Sequence, residues 1–190
     1  MKTNLVVLVS GPSGSGKTKL VNMIIELDPS LYERPKAYTS RSQRENEGND
    51  EYIFCEQKDI LQLYRKGALF NLDFLYGNYY GISKYAMEEC RKKKKIIIKE
   101  IHPDKFSVFE NNSQYHVLKI LLLGGTIRKD RYKIDIEYYR EVDIKRFDIF
   151  IYCFNDKELL NAAIYINRKI QDLEHEKVNF QKCIYHKKYK

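Results

Sequence analysis

Cysteine is scarce in this chain, and the four that occur, Cys55, Cys90, Cys153 and Cys183, stand far apart with no C-x-x-C pair. That argues against a disulfide framework or a zinc site and for reduced thiols, as in a cytoplasmic protein. No apolar stretch approaches the length of a membrane span. The opening Met1-Lys2-Thr3-Asn4 precedes an apolar run of only five residues, so no signal peptide is expected. There is no internal repeat and no low-complexity linker.

What is present suffices for a single domain: 190 residues, 43% of them hydrophobic. The net charge of +8 comes mostly from lysines spread along the chain and suits a polyanionic ligand.

The strongest signal lies near the start. Leu5 to Val9 read LVVLV, a buried strand, and Ser10 leads into GPSGSGKT, Gly11 to Thr18. This stretch, Gly11-Pro12-Ser13-Gly14-Ser15-Gly16-Lys17-Thr18, matches the phosphate-cradling loop G-x-x-x-x-G-K-[ST] at every fixed position. Glycines let backbone N–H groups surround a polyphosphate. Lys17 reaches the outer phosphates, and the Thr18 hydroxyl can ligate Mg²⁺. A helical pattern follows (Leu20, Ile24, Leu27), whose positive dipole end points at the same anion.

After a turn at Asp28-Pro29, residues 37–54 read AYTSRSQRENEGNDEYIF, polar for a stretch between folded regions. Arg41 and Arg44 offer planar, multi-donor contacts to a phosphate, and Tyr52 adds a neutral donor. Beside an upstream phosphate loop they suggest a second anion site. Residues 56–66 look helical, with Ile60, Leu63 and Tyr64 on one face. ALFNLDFLYGNYYGIS, 68–83, suggests two short strands about a turn at Gly77-Asn78, with Tyr79 and Tyr80 as packing residues.

Three blocks, GPSGSGKT, TSRSQRENEGNDEYIF and GNYYGIS, occur in the order found in the guanylate kinase family of P-loop nucleoside monophosphate kinases, which the sequence resembles. The likeness covers roughly residues 4 to 125 well and the C-terminal third loosely. It implies an α/β fold: a three-layer P-loop kinase with a central parallel sheet, a small acceptor-binding subdomain and a shortened lid. The expected core is 1–33, 84–125 and 147–178, the subdomain 34–83 and the reduced lid 126–146.

By that resemblance, Gly11 to Thr18 hold ATP, and Arg41, Arg44, Tyr52 and Tyr80 bind the acceptor's phosphate, with Glu47 orienting the arginines. The departures are informative. The glutamate that reads guanine in the family falls on Asn71, and the serine that also touches the base falls near Ala37 or Lys36. The [ST] after G-N-Y-Y-G becomes Ile82. A carboxylate accepts from both N1–H and N2–H₂ of guanine, whereas a carboxamide presents one acceptor and one donor group. Guanine specificity is therefore not implied, although the phosphate contacts are.

Ser83 is a helix N-cap before KYAMEECRKKKK, whose run Arg91 to Lys95 reads as a solvated helix end; a nucleic-acid partner is not expected. IIIKEIHPD, 96–104, reads as a buried parallel strand. The family's D-x-D at its end falls on Glu100, a partner for metal-bound water or a base, and His102, on the acceptor side. DKFSVFENN, 104–112, is a short helix, and HVLKILLLGG, 116–125, a further strand. The lid is cut to TIRKDR, where Arg128 and Arg131 are candidates for the arginines that neutralise charge as the phosphoryl group moves, with Arg140 a third. FDIFIYCF, 147–154, reads as the last strand, followed by a helix with Leu159, Ala163, Ile166, Ile170 and Leu173 on one face and a frayed basic tail. Asn155 sits where the family approaches adenine.

The sequence thus implies a cytoplasmic enzyme, monomer or homodimer, using ATP and Mg²⁺ on small nucleotide substrates. Two other readings stay open: a P-loop kinase of another phosphorylated small molecule, such as a sugar phosphate, and a non-catalytic interaction module.

Overall fold

The first strand, β1 (Leu5–Ser10), is buried along its whole length. Only a strand flanked by neighbours on both edges and both faces can use so continuous an apolar run. Each such side chain removed from water contributes about 1.5–3 kcal/mol. The structure, a computed structural model, describes residues 4–43, 45, 51–124, 132–175 and 183–184. The chain divides into two units, one of 1–32 with 98–190 and one of 33–97.

The first unit is built on a central parallel sheet. β1 pairs in parallel with β8 (His116–Gly124), in a register that sets Ser10 beside Leu121. β8 pairs in parallel with β9 (Ile149–Cys153), and β9 with β10 (Cys183–Ile184). The sheet order is completed by β7 (Ile96–Glu100) and β2 (Tyr32–Glu33), as β10-β9-β8-β1-β7-β2. This is the α/β class with a central parallel sheet that the sequence implied. One expectation is corrected: β9 is not the last strand, because Cys183–Ile184 returns to its edge.

α1 (Lys17–Leu27) packs against α6 (Asp156–His175), burying Leu20, Val21 and Ile24 with Leu159, Ala163, Ile166 and Ile170. Leu27, expected on the apolar face of α1, is 41% exposed. Asn155 accepts from the Glu158 N–H at 3.0 Å while the Glu158 carboxylate accepts from the Phe154 N–H at 2.9 Å, a reciprocal cap at the start of α6. A 3-10 turn (Pro103–Lys105) leads into α4 (Phe106–Glu110), and α5 (Tyr132–Glu141) precedes a second 3-10 turn (Ile144–Arg146).

The second unit carries a small mixed sheet, ordered β4 (Tyr52–Phe54), β3 (Ala37–Thr39), β6 (Asn78–Ile82), β5 (Asp73–Leu75). The β5–β6 hairpin pairs Leu75 with Asn78, so its turn is Tyr76-Gly77 and not the expected Gly77-Asn78. Both central residues have positive φ, 51° and 78°, the conformation that matches the twist of paired strands. α2 (Gln57–Arg65) buries Ile60, but Tyr64 is 51% exposed and lies off the buried face. α3 (Lys84–Lys92) is capped as expected, Ser83 Oγ accepting from the Ala86 N–H at 3.2 Å. Its basic end is paired with acids: Arg91 with Glu88, Lys92 with Glu89 and Lys93 with Glu33.

Candidate active site

The phosphate loop is shaped by steric necessity. A Cβ on Gly11 would lie 2.1 Å from the Leu122 carbonyl oxygen on β8, a backbone contact that cannot give way. Gly16, at φ 91°, ends the loop and caps α1 without any side-chain acceptor for the first-turn N–H groups. Those donors and the helix dipole make this terminus an anion site. The loop is pinned by Ser10, whose hydroxyl donates to the Ile101 carbonyl, and by the Ile101 N–H donating to Val9 O at 3.1 Å. Lys17 begins α1 and folds its ammonium back onto the Gly11 and Pro12 carbonyls, at 2.8 and 2.7 Å. Ser15 is buried, its hydroxyl without a hydrogen-bond partner among the described residues.

Two loop N–H groups are taken by α5. The Ser13 N–H donates to Asp135 Oδ2 at 2.7 Å, and the Gly11 N–H to the Tyr139 hydroxyl at 3.0 Å. The loop therefore already holds an anion. Behind it, Tyr138 donates to Asp104 Oδ1 at 2.6 Å, and its ring lies 4.3 Å from that of His102. Burial, then the Asp104 bond, pushes the Tyr138 phenol up. Burial pushes the His102 imidazole below its ordinary value, against the opposing pull of Asp104 and Asp135, and so favours the neutral ring. Its Nδ1 is 3.4 Å from Asp104 Oδ2.

Thr18 and Glu100 are the hard oxygen donors suited to Mg²⁺. Thr18 is exposed in the first turn of α1, and Glu100 ends β7 with both carboxylate oxygens buried. No group of three or more His, Cys, Asp or Glu arranged for a metal occurs among the described residues. A cation held by one or two protein oxygens, phosphates and water needs none. Asn155 has its carboxamide oxygen committed to capping α6, and Arg140 is exposed on α5.

In the second unit the structure gathers Arg41, Tyr52 and Tyr80. The Arg41 guanidinium carbon lies 5.0 Å from the Tyr52 ring centroid and 5.2 Å from that of Phe54. The Tyr52 and Tyr80 rings meet edge to face at 6.2 Å. The register explains the convergence: Thr39 is flanked by Phe54 on β4 and Tyr80 on β6, and Arg41 follows two residues on. Stacking on aromatic rings orients the guanidinium plane, and one of its terminal nitrogens donates to the Ser42 carbonyl at 3.0 Å. Tyr79 packs on Phe74, 4.8 Å between centroids, as expected of a strand tyrosine.

Asn71 is buried and structurally engaged. Its Nδ2 donates to Asp73 Oδ2 at 2.9 Å and its Oδ1 accepts from the Ile82 N–H at 3.0 Å. Asp73, also buried and opposite Tyr80 across the hairpin, is a carboxylate that sequence reasoning passed over. It likewise missed Asp135 and Tyr139, which stand i, i+4 on one face of α5. Arg44, Glu47, Arg128 and Arg131 lie outside the described residues.

A glycine-shaped loop between a buried parallel strand and a helix, with a lysine at its end, defines a phosphate-loop protein. The sequence profile of the family described as guanylate kinase matches residues 2–126. Guanylate kinase of Helicobacter pylori is 32% identical over 163 residues, 78% of either chain. That of Clostridioides difficile is 26% identical over 207 aligned positions, spanning 100% of this chain and 98% of the relative. The crystal structure of guanylate kinase from Anaplasma phagocytophilum matches with a TM-score of 0.70 over 93% of this chain and 89% of that one; at 17% identity it bears on the fold alone. The chain belongs to the guanylate kinase family, a family of nucleoside monophosphate kinases.

Proposed function

We propose that the chain transfers the terminal phosphoryl group of Mg·ATP to the phosphate of a nucleoside monophosphate. The observation that carries this reading is the phosphate loop, intact at every fixed position and sterically closed to any residue but glycine at Gly11. The family relationship supports GMP as acceptor. Gly11 to Thr18 hold the triphosphate, Lys17 leaving its loop carbonyls for the stronger charge of the phosphates. Arg41, Arg44, Tyr52 and Tyr80 hold the acceptor phosphate, with Glu47 setting the arginines, Asn71 on the base side and His102 as a neutral neighbour. Thr18 and Glu100 hold Mg²⁺, which when bound neutralises charge on the phosphate oxygens. Arg128 and Arg131 act from the donor side, with Asn155 near the adenine. Catalysis is positioning and charge neutralisation, with little covalent work for the protein.

One observation favours a second reading. The Asn71 carboxamide is spent on Asp73 and Ile82, so the acceptor's base is not held by a carboxylate at this position. That supports a kinase of this family whose acceptor is another nucleotide or another phosphorylated small molecule. ADP release across GMP, dGMP, AMP, IMP, CMP, UMP and several sugar phosphates separates the two. Preference for GMP or dGMP supports the first reading, and preference for any other acceptor the second. ATP binding with no turnover on any acceptor refutes both in favour of an interaction module.

A further inference from the structure

The loop's anion-binding donors are not open in this conformation. Asp135 and Tyr139 stand one helical turn apart on α5 and take the N–H groups of Ser13 and Gly11. Asp135 is only 3% exposed. A carboxylate so buried needs strong donors, and here it takes one from the phosphate loop itself. Contacts that hold α5 in place among the described residues include the Tyr138 hydroxyl on Asp104, the Tyr138 ring against His102, and the Tyr139 ring 6.5 Å from His102. Lys17, which would otherwise meet an incoming phosphate, is turned onto the Gly11 and Pro12 carbonyls. A phosphate oxygen and the Asp135 carboxylate cannot share the Ser13 N–H, since both are anions seeking one donor.

We propose that α5 is an autoinhibitory strap, its Asp135 carboxylate and Tyr139 hydroxyl occupying the phosphate loop so that a nucleotide binds only by displacing them. This rests on reading the loop as the nucleotide site. The strap imposes a conformational cost on nucleotide affinity: the apparent affinity is the intrinsic one multiplied by the fraction of molecules in which α5 is undocked. Removing the carboxylate lifts that cost.

The test is calorimetric titration of Mg·ATP into the wild-type chain and into Asp135→Asn, Asp135→Ala, Tyr139→Phe and Lys17→Ala. Thermal unfolding of each reports that it is folded. The strap predicts that both Asp135 variants bind Mg·ATP about tenfold tighter or more, and Tyr139→Phe a few-fold tighter. An Asp135 that merely anchors α5 would lower the melting temperature and leave the dissociation constant unchanged. Unchanged or weaker binding in the Asp135 variants, with wild-type binding that Lys17→Ala abolishes, overturns the strap and leaves the nucleotide reading standing. Wild type and variants all failing to bind Mg·ATP overturns both. Binding by the Asp135 variants but not by wild type supports the strap in its strongest form.

Discussion

Around the phosphate loop, the groups that meet an anion are backbone N–H donors, and their placement is enforced by what a side chain would strike. In the 33–97 unit the groups proposed for that role are side chains: Tyr52 and Tyr80 on strands of three and five residues, and Arg41 just beyond the end of β3. The first arrangement tolerates almost no change at its glycine and much elsewhere. The second tolerates backbone change poorly at no single residue, but each of its side chains can be exchanged for another that folds. Phosphate recognition by backbone is indifferent to what carries the phosphate. Recognition by side chains can be retuned, and it is in the second unit, at Asn71, that the sequence reading expects a departure from the family pattern.

That contrast can be broken at either end. The largest effect is expected from Lys17→Ala, which removes the loop's one cation: turnover should fall by about a thousandfold or more while the melting temperature stays close to wild type. A variant with near-wild-type activity would contradict the mechanism. Gly11→Ala comes next and should damage both fold and activity, because its Cβ would strike the Leu122 carbonyl at 2.1 Å. A loss of about 3 kcal/mol or more in chemical denaturation is expected. In the second unit, Arg41→Lys keeps the charge but loses the planar fork and the stacking on Tyr52 and Phe54. It should raise the acceptor KM about tenfold and leave the ATP KM unchanged. Asn71→Ala removes two buried hydrogen bonds from the hairpin and should cost about 2–3 kcal/mol in stability, measured by denaturant titration.

The smallest effect concerns His102. Burial holds its imidazole below the ordinary value, so the folded chain disfavours the proton that the unfolded chain accepts. The stability tied to the neutral ring is complete above about pH 6.5 and is lost as pH falls through the lower folded value. His102→Asn should therefore flatten the drop in melting temperature between about pH 7 and 5. An equally steep drop in the variant would remove His102 from that account.

Much of the first unit was legible because its constraints are local. The loop announces itself in eight consecutive residues, and the buried run Leu5 to Val9 sets β1; in the second unit, Ser83 caps α3 three residues from its partner for the same local reason. What escaped was set by distant partners. Asp135 and Tyr139 reach the loop across 122 and 128 residues, and no pattern around them signals a phosphate loop as their partner. Tyr64 and Leu27 fitted an apolar periodicity, but what covers a helix face is decided by its neighbours in space. The hairpin turn slipped by one residue because Tyr76 adopts a positive φ that bulky residues rarely take. Cys183–Ile184 joins the sheet from within a basic tail, where two residues are too short to show a period.

The most direct measurement is ADP formation from Mg·ATP by the wild-type chain, with and without a nucleoside monophosphate. The account predicts that ADP forms only when an acceptor is present, with a nucleoside diphosphate appearing in equal amount. ADP released at the same rate without acceptor, or none with any nucleoside monophosphate, would contradict it.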